Sequence, residues 1–186
     1  MVSIVIPLYN EEDNVDSYEV DLFPVIDKIA KEYNTTFDII FVNDGSKDRT
    51  LEKITAIAAR RKDVQVLNHE KNRGMGAALK TGFARTDADL IITMDSDLTF
   101  RPEDIPVLLT AYARDRPECV SGSPYLKTGL MEEVTPMRLF FSKSVNYMYR
   151  ILLRQPITCV SPIFRLYRAD TLKKLDLESE NFEINA

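Results

Sequence analysis

Two carboxylates one residue apart, Asp95 and Asp97, follow the apolar run Leu90-Ile91-Ile92-Thr93-Met94 without a break. Side chains alternate faces along an extended chain, so both acids are expected to point the same way and share one cation. Hard divalent ions take oxygen ligands, and Mg²⁺ or Mn²⁺ commonly joins a few carboxylates to the phosphates of a substrate. That use implies a nucleotide-activated substrate. The spacing by itself is weak: with 16 Asp in 186 residues, chance supplies about one or two Asp-x-Asp triplets, and Asp87-Ala88-Asp89 is another. Context separates the two, because Asp95 and Asp97 end a buried-looking strand.

Other turns carry complementary chemistry, each with a plainer reading beside it. In Pro7-Leu8-Tyr9-Asn10-Glu11-Glu12 an aromatic ring can stack on a base and a carboxylate can bond ribose or base; a turn with a helix cap reads as well. Asn43-Asp44-Gly45-Ser46 fits an Asx-type turn, and it also places Asp44 to accept from the N–H edge of a base. Lys71-Asn72-Arg73-Gly74-Met75-Gly76-Ala77-Ala78 pairs cations with a glycine-rich helix start whose N–H groups suit an anion. Leu79 stands where a dinucleotide fingerprint needs its third glycine, and small residues also serve close helix packing. From Pro136 to Arg154, Phe141, Val145, Met148 and Leu152 fall at helical spacing among Arg138, Lys143, Arg150 and Arg154. This is either a helix packed on the core or an interfacial helix whose cations meet headgroups or a lipid phosphate.

The elements that must position these groups alternate along the chain. Strands are expected at 2–6 (stopped by Pro7), 37–42, 64–67, 90–94 and 164–168. Helices are expected from a cap at Asn10, over 48–61, over 74–85, and over 102–114 with Pro at the first turn. Apolar strands separated by amphipathic helices imply an α/β fold, a mostly parallel sheet covered on both faces. Ligands of such sheets bind at the carboxyl ends of the strands, so the three motif-bearing turns converge on one cleft.

Composition narrows the options. A chain of 186 residues with 45% hydrophobic and 28% charged residues suits one soluble domain. A net charge of −5 argues against nucleic acid as a partner. Cys119 and Cys159 lack metal-ligand spacing and are expected as reduced core thiols. His69 is the single histidine, which excludes a multi-histidine metal site and leaves little room for a Ser-His-Asp arrangement. No run reaches the roughly 18–20 apolar residues of a membrane span. The chain ends at Glu183-Ile184-Asn185-Ala186 without a stopping signal, so a longer chain with further helices or a membrane segment is expected.

Together these residues resemble the family 2 glycosyltransferases, inverting enzymes of GT-A fold. Val5-Ile6-Pro7-Leu8-Tyr9-Asn10-Glu11, Val42-Asn43-Asp44-Gly45-Ser46, Asn72-Arg73-Gly74 through Gly82, and Met94-Asp95-Ser96-Asp97-Leu98 look like that family's motifs in order. Within it, the chain is most similar to the dolichol-phosphate mannose synthase branch. The run Arg101-Pro102-Glu103-Asp104-Ile105-Pro106, Gly122-Ser123 with Tyr125, Arg138 with Ser142 and Asn146, and Phe164-Arg165 with Tyr167 fit that branch. The resemblance implies a single GT-A (Rossmann-like) catalytic domain over 1–186. It implies Pro7, Tyr9, Glu11, Val42, Asp44, Arg73, Asp95, Ser96 and Arg165 on the nucleotide and donor, and Asp95, Asp97 and Thr99 on Mn²⁺ or Mg²⁺. Asp97 and Arg138 would act in catalysis.

The activity implied is transfer of a hexose, mannose favoured, from a nucleoside-diphosphate sugar to a dolichyl or polyprenyl phosphate with inversion. GDP-mannose is the favoured donor, with a UDP-sugar open, at the cytoplasmic face of a membrane. Pro124 and the segment Cys159-Val160-Ser161-Pro162-Ile163 depart from that branch on the acceptor and sugar side. A hydroxyl acceptor, nucleotidyl transfer, and a nucleotide-binding domain that has lost transfer therefore stay open.

Overall fold

The computed structural model describes residues 1–126, 136–154, 158–179 and 181. Among them the sheet has six strands: β1 Val2–Leu8, β2 Phe37–Asn43, β3 Val64–Asn68, β4 Leu90–Thr93, β5 Cys119–Ser121 and β6 Arg165–Arg168. Their order is β3-β2-β1-β4-β6-β5. The first four are mutually parallel, and β6 runs antiparallel to both β4 and β5.

The helices are α1 Glu12–Val15, α2 Tyr18–Asp21, α3 Phe23–Glu32, α4 Thr50–Arg60, α5 Met75–Arg85, α6 Ile105–Asp115, α7 Pro136–Leu153 and α8 Ala169–Leu172. Alternate residues of the central strands feed two cores, as a sheet buried on both faces requires. Ile4, Ile6, Ile39, Phe41 and Ile92 pack with Ile26 of α3, Ile54 of α4 and Leu108 of α6. Val5, Ile40, Val42 and Ile91 pack on the other face with Ala78 and Leu79 of α5 and Leu172 of α8. The small residues of α5 let it lie close: a Cβ on Gly82 would stand 2.4 Å from Val5 Cγ1 and 3.4 Å from Val42 Cγ2.

The strand boundaries explain two departures from the expected elements. β1 does not stop at Pro7 but pairs it with Val42 of β2. Val5 gives its carbonyl to the Met94 N–H (3.1 Å), so Pro7, two residues on, turns its missing N–H toward the same side. Pairing with β4 ends there at Val5 and Thr93, and no ladder bond is lost. Asn10, expected as a helix cap, adopts φ 56° and joins two turns instead. Its N–H donates to Ser46 Oγ (3.0 Å) and its Oδ1 accepts the Lys47 N–H (2.8 Å).

Other elements were outside the expected set. α2, α3, β5 and α8 have no counterpart in the sequence reading, and residues 102–104 form a 3₁₀ turn ahead of α6. Cys159 is buried as expected, whereas Cys119 is exposed on edge strand β5. Packing on the core does not describe α7: its stripe of Phe141, Val145, Met148 and Leu152 is 45–68% exposed.

Gly82→Ala puts a methyl group into a fully packed sheet–helix seam, and overpacking of this kind costs about 1–3 kcal/mol. Urea unfolding of the variant should show a lower midpoint with an unchanged slope; an unchanged midpoint would mean that α5 stands off the sheet.

Candidate functional site

The carboxyl ends of β2, β1 and β4 lie side by side, with the change of strand order between β1 and β4. This crevice is where open α/β sheets take ligands. Three expected motifs meet there. The Asp44 N–H donates to the Leu8 carbonyl (2.8 Å), tying the second turn to the end of β1. Cross-bonds continue from Glu11 N–H to Thr50 Oγ1 (2.8 Å), Glu12 N–H to Asp48 Oδ2 (3.2 Å) and Arg49 N–H to Glu12 Oε2 (2.8 Å). Tyr9, at the mouth of β1, is 42% exposed and presents its ring to solvent.

The acidic pair is held by a turn rather than by strand alternation, because β4 ends at Thr93. Leu98 takes φ 52°, its N–H donates to the Asp95 carbonyl (3.4 Å), and the Thr99 N–H donates to Asp97 Oδ1 (2.9 Å). From beneath, the hydroxyl of buried Tyr18 donates to the Ser96 carbonyl (2.7 Å), and its ring stacks on Phe41 at 5.5 Å. The peptide between the two acids is therefore fixed from the core.

The electrostatics place Glu11 in the same neighbourhood. The Asp95 carboxyl is pushed up to about 6, first by burial and then by the negative charges of Asp97 and Glu11. Tyr18 is held above the ordinary phenol range by burial, with Glu11 and Asp97 adding to the effect. Among the described residues no lysine or arginine offsets the charge felt by Asp95. The fold thus concentrates negative charge at one point of its rim, where a cation relieves it.

This donor set fits a hard divalent ion. The donors available would be the carboxylate oxygens of Asp95 and Asp97, and among the described residues no group of three His, Cys, Asp or Glu is placed to hold a metal ion by itself. Mg²⁺ and Mn²⁺ sites of that incomplete kind draw their remaining oxygens from substrate phosphates and water.

The remaining expected residues are arranged differently. Asp44 is buried, and its carboxylate accepts from the Arg73 N–H (2.9 Å), the Gly74 N–H (2.8 Å) and His69 Nδ1 (2.7 Å). The anion at the start of α5 is therefore Asp44 itself, and the Arg73 side chain is exposed. Val42, at the carboxyl-terminal half of β2, has its side chain fully buried in the α5 seam. Pro7 is half-buried in β1. Arg165 lies level with Thr93 at the rim, yet its guanidinium donates to the carbonyls of Pro162 (3.0 Å) and Val160 (2.5 Å) and so braces that loop. Arg138 belongs to α7, but its side chain lies outside the described residues. Thr99 is exposed beside Asp97.

Two contributors were missed. Tyr18 sits in a segment with weak helical periodicity, and nothing local marks its bond to Ser96, 78 residues away. As the single histidine, His69 suggests from sequence only a metal ligand or triad member, whereas its partner is Asp44. Adjacent strand ends do signal that pairing, since the His69 N–H continues the β3 ladder to the Asn43 carbonyl (2.9 Å).

Comparisons with known proteins identify the family and agree with this fold. The family model described as Glycosyl transferase family 2 matches residues 3–176. A dolichol-phosphate mannosyltransferase of Pyrococcus furiosus is 31% identical over 98% of this chain and 50% of its own length. An undecaprenyl-phosphate 4-deoxy-4-formamido-L-arabinose transferase of Pseudomonas aeruginosa is 38% identical over 61% of this chain and 33% of its own. The chain thus spans from a third to about half the length of these relatives. Among solved structures, glucosyl-3-phosphoglycerate synthase of Mycobacterium tuberculosis, in complex with Mn²⁺, UDP and phosphoglyceric acid, superposes with a TM-score of 0.69. It is 18% identical and is covered over 61% of its chain, with all of this chain matched, a likeness of GT-A fold.

Because Asp95 is held up to about 6, its ionisation opposes folding, and this cost is fully present once pH rises above that value. Asp95→Asn removes it. The ligand-free variant should melt about 2–6 °C higher at pH 7.5, while losing the stabilisation that Mn²⁺ with a nucleoside diphosphate gives the parent. The parent's Mn²⁺ affinity should also fall as pH drops through about 6. A melting temperature unchanged by the substitution would remove the claim of stored charge.

Proposed function

This chain belongs to glycosyl transferase family 2, and from that premise we propose that it moves a hexose from a nucleoside-diphosphate sugar to a polyprenyl or dolichyl phosphate with inversion. One observation carries the reading: the uncompensated acidic turn at the end of β4, beside an exposed aromatic at the end of β1. Asp95 and Asp97 would hold a divalent cation, which when bound supplies Lewis-acid stabilisation to a departing diphosphate. Thr99, next to Asp97, is available to complete their turn. Tyr9 offers its ring face to the base, and Glu11 limits the approach of further anions except through the cation. Asp44, with three donors in place, keeps one lone-pair direction of the roughly four a carboxylate has for a base N–H.

The acceptor side follows from chemistry. A phosphate monoester with second pKa near 6 is largely dianionic at neutral pH and attacks without a general base. Arg138 would position that phosphate from α7. The exposed apolar stripe of α7 and its exposed cations Lys143, Arg150 and Arg154 support a helix lying on a lipid surface. Among the described residues no helix is long and apolar enough to cross a membrane; on the proposed reading α7 lies on the cytoplasmic face of a membrane. The name of the Pyrococcus furiosus relative favours mannose, with GDP-mannose as the donor we favour, and a UDP-sugar is the alternative.

The test supplies GDP-mannose or UDP-glucose with dolichyl phosphate vesicles and Mn²⁺. The expected product is an acid-labile lipid-linked sugar phosphate, and Asp97→Ala should lower its rate about 100-fold or more. An acid-stable glycoside would assign a hydroxyl acceptor instead, and donor hydrolysis alone would remove the transferase reading.

A further inference from the structure

We infer that His69 is a positioning residue for the nucleotide side of the cleft, acting through Asp44 on the turn that opens α5. The inference rests on the reading that this cleft takes a nucleoside diphosphate. His69 is buried, and its ring is clamped at both nitrogens: Nδ1 donates to Asp44 Oδ1 (2.7 Å) and Nε2 bonds Thr81 Oγ1 (2.9 Å). Thr81 lies in the second turn of α5, and its Oγ1 is also within hydrogen-bond distance of the Ala77 carbonyl (2.9 Å), so it anchors the ring to the helix. Asp44 in turn holds the backbone N–H groups of Arg73 and Gly74. One imidazole therefore ties together the end of β3, the turn after β2 and both the first and second turns of α5.

The latch has little slack. Gly45 takes φ 72°, and a Cβ there would stand 2.4 Å from the Lys71 carbonyl carbon, so the β2 turn and the 71–74 turn touch backbone to backbone. Gly74, at φ 93°, leads directly into the helix. A carboxylate between two such turns can rotate only if its donors release it. With His69 in place, Oδ1 is shared by two donors and Oδ2 by one, which leaves the free lone pair of Asp44 pointing one way. Without the imidazole, the carboxylate can turn between the Arg73 and Gly74 amides. The base would then meet a disordered acceptor, and a preorganised hydrogen-bond partner would be lost.

Two substitutions separate positioning from support. Asn carries its amide nitrogen at the same bond count from Cβ as Nδ1, and Gln carries its own at the count of Nε2. His69→Asn keeps the donor to Asp44 and gives up Thr81; His69→Gln does the reverse. Calorimetric titration of GDP and of UDP with Mn²⁺ should show His69→Asn within about threefold of the parent and His69→Gln weakened about tenfold, with both variants melting within a few degrees of each other. Equal weakening in both variants, or weakening in neither, overturns the inference. As the chain has one histidine, the proton on its Cε1 gives a single resonance in the parent protein. That resonance should move on saturation with nucleotide, and an unmoved resonance likewise overturns the inference.

If the parent binds no nucleoside diphosphate, the functional reading fails, and the latch is still judged by amide exchange. The Arg73 and Gly74 amides should exchange about tenfold faster in His69→Gln than in His69→Asn. Equal rates overturn it.

Discussion

The parallel pairing of β2, β1 and β4 is the constraint from which the site follows. β1 lies between the other two, and its register brings Leu8 level with Asn43 on one side and Val5 level with Thr93 on the other. β1 and β2 therefore run three residues beyond β4. The chain leaving β4 enters its turn below the level at which Tyr9 and Asp44 emerge. A crevice with one lower wall results, and the acidic turn forms the floor of that wall. Pro7 fits this offset, since it stands where β1 has lost its neighbour on the β4 side.

Two carboxylates at this rim have opposite electrostatic fates. Asp44 is the more deeply buried, yet three donors satisfy it, and one of its roles is to act as the anion at the start of α5. Asp95 is less buried and has only like charge nearby. A buried acid with donors around it is a structural element, whereas one with acids around it stores free energy that a ligand can release. On the proposed reading the two acids would take the two ends of a nucleotide-sized ligand, Asp44 discriminating by hydrogen-bond geometry and Asp95 attracting by charge.

The layout of the sheet was legible because its strands are short, apolar and β-branched, as in Val2-Ser3-Ile4-Val5-Ile6. Such runs survive any detail of packing. The convergence of the motif turns was legible for the same reason, as ligand sites of parallel sheets lie at strand ends. What local pattern could not reveal is which partner each polar group takes. Asn10 has the composition of a cap and the backbone of a left-handed turn, a choice decided by Ser46 and Lys47, more than 35 residues away. Arg165 has the charge for a phosphate and spends it on loop carbonyls, because antiparallel pairing with Ser121 and Thr93 sets it above the 160–162 bend. β5 was invisible at three residues, Cys119-Val120-Ser121, with just one of them strongly apolar and branched.

α7 shows why periodicity alone leaves function open. A stripe at helical spacing means that the helix has one apolar side, and it is silent on whether protein or lipid covers that side. Here the stripe residues stay exposed while Asn146, on the other side, is buried, its Oδ1 accepting the Val160 N–H (3.0 Å). The polar side of the helix thus faces the body of the protein, and the apolar side faces out. That inversion is unfavourable in water, where exposed apolar area costs about 25 cal/mol per Å², and favourable against hydrocarbon. Lys143, Arg150 and Arg154 are exposed too, although at about 100° per residue they fall on the side of the helix opposite the stripe. On the proposed reading a lipid-phosphate acceptor would have to cross from such a surface into the crevice, and α7, tied to the 158–160 loop through Asn146 and Val160, would stand beside that crossing.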